Sequence, residues 1–198
     1  MRKVFILFIS VLFANIINAQ EKPEGLFINS KAADFKAVDQ NGKEVNIKDL
    51  RKKGPVVIMF YRGYWCPFCS KALKRFQDSL SYITDKGATV IAVTPETQTF
   101  VDSTIAKTGA SYSIISDKDM EISKKYAVVY KVDPKIVGRY KNADIDLLKQ
   151  NDQKEAALPV PAVYIINRDG TISYRFFNED YKKRPSVAEI AEAVTKIL

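Results

Sequence analysis

The sequence has no histidine and only two cysteines among its 198 residues. Each shortage removes chemistry. Without histidine there is no Ser-His-Asp or Cys-His nucleophile arrangement and no histidine-ligated metal site. Two cysteines fall short of the four ligands that a structural zinc takes, so zinc would need carboxylates or a second subunit, and no metal is expected. Gly/Pro/Ser-rich linkers, low-complexity tracts and internal repeats are also missing. Long apolar runs are absent except at the start. There Arg2 and Lys3 precede Val4 to Ala14, broken only by Ser10, and the more polar Asn15 to Ala19 follows. This is the build of a secretory signal peptide over residues 1–19. The run is shorter than the about 20 residues of a membrane span. An uncleaved anchor is the alternative, because Ile17 is larger than the residue that cleavage prefers there. A lipid anchor lacks support, since the first cysteine is Cys66. The expectation is an exported protein, periplasmic or extracellular, with no stable membrane insertion once the leader is removed.

The remainder, residues 20–198, has an ordinary globular composition, 46% hydrophobic and 27% charged. A chain of this length buries enough apolar surface to fold without staples, so the cysteines are not needed as a framework. The net charge of +8 falls to +6 when the leader takes Arg2 and Lys3 with it. The cations are scattered. Their short clusters, Arg51–Lys53 and Lys182–Arg184, lack the interleaved aromatics of a nucleic-acid site and read as solvated charge. No nucleic-acid partner is expected.

Periodicity predicts alternating strands and helices. Lys31 to Val38, the turn Asp39–Lys43 and Glu44 to Ile47 read as strand, turn, strand. Val56 to Tyr61 is a continuous apolar run, typical of a strand buried on both faces. Beyond Trp65, Cys69, Ala72, Leu73, Phe76, Leu80 and Ile83 recur at helical spacing. Ala88 to Val93 is a second buried strand, Thr97 to Lys107 a helix and Ser113 to Ile115 a short strand. Asp117 is a candidate N-cap for a helix through Tyr126. The polar, weakly periodic stretch 132–157 reads as an insertion with one helix near Ala143 to Lys149. Ala162 to Ile166, the turn Asn167–Gly170 and Thr171 to Phe177 form a hairpin. A last helix starts at Pro185-Ser186. The alternation predicts an α/β fold.

Cys66-Pro67-Phe68-Cys69 sits where the buried strand passes into the helix. The first turn of a helix carries unpaired N–H groups and the positive end of the dipole. A thiolate there is stabilised below the free-cysteine pKa of about 8.5, and thiolate is the reactive form. A second cysteine three residues on shares the helix face and can close a small redox-active disulfide, Cys66–Cys69. Pro67 stiffens the loop at a position whose N–H has no helical partner. Trp65 is placed to shield the pair, and Arg62 and Lys71 to add positive potential. A purely structural disulfide is the rival reading, because export favours oxidation.

FYRGYWCPFCSKAL followed by ATVIAVTPE resembles the redoxin branch of the thioredoxin superfamily, the AhpC/TSA peroxiredoxin-like proteins with an RGxWCPxC signature. KAADF, SIISDKDMEISKKYAV and PAVYIINRDGTI resemble further segments of that family, with Ala33 where it has proline. The resemblance implies a thioredoxin-like fold, a central mixed sheet flanked by helices, with no cofactor. It implies two mechanisms. Set against thioredoxin-like reductases, Cys66 is the nucleophile and Cys69 resolves. Set against peroxiredoxins, Cys69 takes the peroxidatic place and Cys66 that of a threonine. Such enzymes also carry an arginine just before the closing strand, where this chain has Pro161. Pro161 matches the reductase pattern, which implies a cis Val160–Pro161 bond. Phe60 stands where thioredoxin has its buried aspartate, and Glu96 is the candidate substitute, with a helix-starting role as its alternative. The leading expectation is an exported thiol–disulfide oxidoreductase acting on a protein or small-molecule disulfide and served by an exported thiol reductant. A thiol peroxidase acting on peroxide and a non-enzymatic thioredoxin-fold binding module are the alternatives.

Overall fold

The structure is a computed structural model and describes residues 22–198. The leader expected over residues 1–19 lies outside the described residues. In chain order the elements are β1 (Lys36–Val38), β2 (Glu44–Asn46), α1 (Ile47–Lys53), β3 (Val56–Phe60), α2 (Pro67–Asp78), α3 (Ser81–Thr84) and β4 (Thr89–Thr94). Then come α4 (Gln98–Thr108), β5 (Ser113–Ser116), α5 (Glu121–Lys125), β6 (Val129–Lys131), α6 (Pro134–Asn142) and α7 (Leu147–Asn151). The chain closes with β7 (Ala157–Pro159), β8 (Ala162–Ile166), β9 (Ile172–Phe177) and α8 (Val187–Thr195). No helix among the described residues is long and apolar enough to cross a membrane.

The main sheet has the order β5-β4-β3-β8-β9. β3, β4 and β5 run parallel, whereas β8 is antiparallel to β3 and β9 to β8. It is the expected mixed sheet, and β3 is its central strand. Every residue of β3 is buried, because successive side chains point to opposite, covered faces. Val57, Met59 and the following Tyr61 enter the core built with Leu73 and Phe76 of α2 and Ile190 and Val194 of α8. Val56, Ile58 and Phe60 enter the opposite core with Phe35, Ile47 and Tyr126. β3 thus ends between two filled layers and delivers the following loop to the C-terminal edge of the sheet.

Local chemistry explains where the elements depart from expectation. Ile47 does not end a strand but opens α1, because the Asn46 side chain caps it by accepting the Lys48 N–H. The strand expected from Lys31 shrinks to β1, with Lys31 making one isolated bridge to Thr171. Asp117 does not cap α5 directly. Met120 stands before that helix in the left-handed region, yet the Asp117 carboxylate accepts the N–H groups of Ile122 at 3.0 Å and Ser123 at 2.8 Å. Between residues 132 and 157 there are two helices in place of one near Ala143 to Lys149. Asp133 caps α6, with Pro134 in its first turn, and Asp146 caps α7. β6 and β7 pair around them over a small core of Val132, Leu147, Ala156 and Leu158. The expected cis bond at Val160–Pro161 is not found: the described residues contain no cis peptide. The Val160 N–H donates to the Val128 carbonyl at 2.7 Å, and the following bond is trans, the isomer that X–Pro bonds favour by ~0.5–1 kcal/mol.

Gly54, where α1 turns into β3, has an extended backbone, so any constraint on it is steric. A Cβ added there would land on the Gly87 carbonyl oxygen. Gly54→Ala is expected to cost ~1–3 kcal/mol, as overpacking against fixed backbone does. Urea unfolding checks this as a lowered midpoint at unchanged slope.

Candidate active site

Cys66 is the N-cap of α2 and Pro67 is in its first turn. The Cys66 N–H donates to the Gly63 carbonyl at 3.1 Å, and its own carbonyl accepts the Ser70 N–H at 3.0 Å. A tight turn over residues 63–66 therefore feeds the helix. Gly63 is required in that turn. Its φ is 155°, and a Cβ there would meet Trp65 Nε1 and, at 2.7 Å, Glu96 Oε1. Cys69, Leu73 and Phe76 recur on the buried face of α2, which draws Cys69 inward. Both cysteines are free thiols, 1% and 0% exposed respectively.

Glu96 follows β4 and lies behind this loop, fully buried. Its carboxylate accepts the Tyr64 N–H at 2.9 and 3.0 Å, and Thr94 Oγ1 stands 3.4 Å away. The Tyr64 carbonyl accepts from Ser70 Oγ at 2.9 Å and from Lys107 Nζ at 3.2 Å, and its ring stacks on Phe100. Glu96 thus anchors the loop. The N-cap of α4 is Thr97, so Glu96 does not start that helix. Burial pushes its carboxyl up to about 8, and negative charge on Cys69 adds to the rise while the Tyr64 N–H opposes it.

The two sulfurs are driven apart. Cys66 is lowered to about 6 by hydrogen bonds from the Cys69 thiol and then the Cys69 backbone N–H, with Arg62 and Arg184 adding attraction against the cost of burial. Cys69 is pushed well above the usual thiol range. Burial is the main cause, and the hydrogen bond to Cys66 and the charge of Cys66 follow. At neutral pH the pair is therefore a Cys66 thiolate beside a Cys69 thiol.

The Arg62 guanidinium lies over the rings of Trp65, Tyr140 and Tyr181, at 4.8, 5.6 and 4.3 Å. It donates to the Tyr140 hydroxyl. Tyr140 comes from α6, so the stretch between β6 and β7 supplies a wall of the site. Trp65 packs edge-on against Tyr140. Tyr181, from the β9–α8 link, packs edge-on against Phe68 of the CxxC turn. A cleft of about 260 Å³ opens beside these rings, lined by Tyr130, Val160, Pro161, Glu179 and Tyr181. Lys71 is exposed on α2. The same β9–α8 link carries Arg184, whose Nη2 lies 3.1 Å from Cys69 Sγ.

The structure thus brings together Cys66, Cys69, Trp65, Pro67, Arg62 and Glu96, and sets Pro161 on the neighbouring cleft. Sequence reasoning missed Tyr140, Tyr181 and Arg184. Arg184 was visible only as one member of a short basic cluster, and nothing local to the two tyrosines marks them.

The AhpC/TSA family profile matches residues 28–175. A relative named thiol-disulfide oxidoreductase ResA, from Bacillus thuringiensis subsp. konkukian, is 24% identical over 164 residues, covering 82% of this chain and 77% of its own. The chloroplastic peroxiredoxin Q of Gentiana triflora is 28% identical over 122 residues, covering 59% and 56%. Among solved structures, peroxidoxin BcpB from Mycobacterium tuberculosis superposes with a TM-score of 0.65 at 17% identity, covering 86% of this chain and 95% of its own. At that identity the likeness establishes the thioredoxin-type fold.

Two measurements follow from the electrostatics. Iodoacetamide should modify Cys66 at a rate that falls as pH drops through about 6, while Cys69 stays unmodified in the folded protein; peptide mass spectrometry at each pH reads both sites. A half-maximum near the free-cysteine value of about 8.5 contradicts the assignment. Glu96 gives an opposite sign in stability. Its carboxyl is raised from 4.5 to about 8, so the folded state holds an extra proton between those values. That contribution is complete below 4.5 and is lost as pH rises through about 8. Glu96→Gln removes the loss. The stability of the variant relative to the parent should therefore rise with pH across that window and be flat outside it, as read by urea unfolding.

Proposed function

The chain belongs to the AhpC/TSA family, and on that premise we propose that it is a thiol–disulfide oxidoreductase that works through the Cys66–Cys69 couple. The observation that carries this reading is the division between the sulfurs: one lowered to about 6 at a helix start, the other buried and held as a thiol three residues on. The Cys66 thiolate attacks a substrate disulfide, forming a mixed disulfide and expelling one substrate sulfur as thiolate, which takes up a proton. Cys69 then gives up its proton and attacks Cys66 Sγ. The Cys66–Cys69 bond forms, the bond from Cys66 to substrate breaks, and the second substrate sulfur leaves. Two electrons have passed from the pair to the substrate. Glu96, ionised for part of the time near neutral pH and sensitive to the charge on Cys69, is the acceptor for the Cys69 proton. Trp65 and the rings around Arg62 limit solvent access, and Arg62 supports the thiolate.

Pro161 occupies the place of the peroxiredoxin arginine, which favours disulfide over peroxide as substrate. The ResA relative, matched along most of its length, supports the same choice. The leader read in residues 1–19 supports export, where an extracytoplasmic thiol reductant would return the oxidised pair to the dithiol. A second reading, thiol peroxidase with Cys69 attacking, draws on the peroxidoxin-like fold and on the guanidinium 3.1 Å from Cys69 Sγ. Burial of Cys69 weighs against it, because a thiol without its proton is needed first.

Insulin-disulfide reduction and hydrogen peroxide consumption separate the readings. Wild type is expected to reduce insulin, Cys66→Ser to lose the activity to background, and Cys69→Ser to accumulate mixed disulfides visible on non-reducing gels. Peroxide turnover that survives Cys66→Ser and stops in Cys69→Ser overturns the proposal. If neither activity appears and the disulfide resists reduction, the fold serves as a binding module.

A further inference from the structure

Arg184 sits 115 residues from Cys69 in the chain yet donates from Nη2 to Cys69 Sγ at 3.1 Å. Its position is set by its other nitrogen. Nη1 donates to the carbonyls of Tyr181 and Lys183, both at 2.6 Å. Tyr181 is itself fixed against Arg62 and Phe68, and Pro185 stiffens the chain on the far side. No carboxylate among the described residues lies within ion-pair distance of Arg184. The guanidinium also borders a small cavity of about 20 Å³ against Cys69, otherwise lined by apolar and aromatic groups of β3, α2 and β8. A cation with no carboxylate partner among the described residues is thus aimed at a sulfur in a water-poor pocket, where a charge-assisted hydrogen bond counts for more than in solvent.

We infer that Arg184 is a catalytic residue for the second half of the exchange, the cation that carries the negative charge of Cys69 Sγ while it attacks the mixed disulfide. The inference rests on the thiol–disulfide reading. In the free dithiol the Cys66 thiolate holds the Cys69 proton in place, so Arg184 adds attraction to that thiolate while its own hydrogen bond falls on a neutral Cys69 sulfur. Once Cys66 is bonded to substrate, its negative charge and its demand for the Cys69 proton are gone. Burial still disfavours the Cys69 thiolate, and Arg184 and the Arg62 backbone N–H oppose burial. When the new disulfide closes, the charge moves to the departing substrate sulfur, and Arg184 loses its anionic partner.

The test uses 5,5′-dithiobis(2-nitrobenzoate) with the reduced full-length protein in stopped flow. Attack by Cys66 releases the first nitrothiobenzoate and resolution by Cys69 releases the second, so the two steps are read separately. Arg184→Gln should slow the second release by about tenfold or more, the effect of losing one hydrogen bond to a charged group, and slow the first by much less. Arg184→Lys, which keeps the charge, should restore most of the second rate. Equal slowing of both steps, or no slowing of the second, overturns the inference. Cys69→Ser separates that failure from failure of the underlying reading. A single release from Cys69→Ser keeps Cys66 as the attacking sulfur, so a null result with Arg184→Gln then counts against Arg184 alone. Two releases, or a first release that persists in Cys66→Ser, overturns the exchange mechanism itself.

Discussion

Three acidic groups, Cys66, Cys69 and Glu96, share one buried site, and the site accommodates negative charge poorly. Most of the local architecture follows from that constraint. A charge in a water-poor environment raises the cost of a second one nearby. The thiolate on Cys66 keeps the proton on Cys69, and charge on Cys69 raises Glu96 in turn. The protonation states are therefore ordered, and the proposed exchange moves negative charge from one sulfur to the other. The two arginines are placed accordingly. Arg62 is held by aromatic faces and a phenol, and Arg184 by backbone carbonyls. Neither is paired with a carboxylate among the described residues, so both remain available to sulfur.

The fold supplies the rigidity this arrangement needs. β3 is buried on both faces, so the loop it feeds leaves the sheet at a defined point, and the start of α2 at Cys66 meets it three residues before Cys69 turns inward. Glu96 leaves β4, the parallel neighbour of β3, at the same edge. Two adjacent parallel strands thus set the sulfur pair and its buried carboxylate at a fixed separation. The segment between β6 and β7 has its own small core, with Trp65 packed against it. Through Tyr140 it contributes to the wall over Arg62 rather than standing apart on the surface.

Family membership leaves the mechanism open, since relatives carry names from both thiol–disulfide exchange and peroxide reduction. The departures within this chain decide more than the likeness does. By the resemblance of PAVYIINRDGTI, Pro161 falls where peroxiredoxins carry an arginine, and Arg184, arriving from the β9–α8 link, reaches the inner sulfur.

The thiol pair, its place between a buried strand and an amphipathic helix, the proline of the first helical turn and the α/β alternation are all legible along the chain. These are local signals, carried by periodicity and by residues within a turn of one another. The sequence could also rule out histidine chemistry, because an absence needs no geometry. It misjudged α1, whose start depends on one asparagine cap, and the bond before Pro161, which is trans. The proposal that Cys66 is the attacking sulfur draws on tertiary structure alone. That choice depends on which sulfur is desolvated and which cation faces it, and Arg184 and Tyr140 reach the site from 115 and 78 residues away from their partners. No pattern along the chain encodes such distances, since they exist only once the layers have packed.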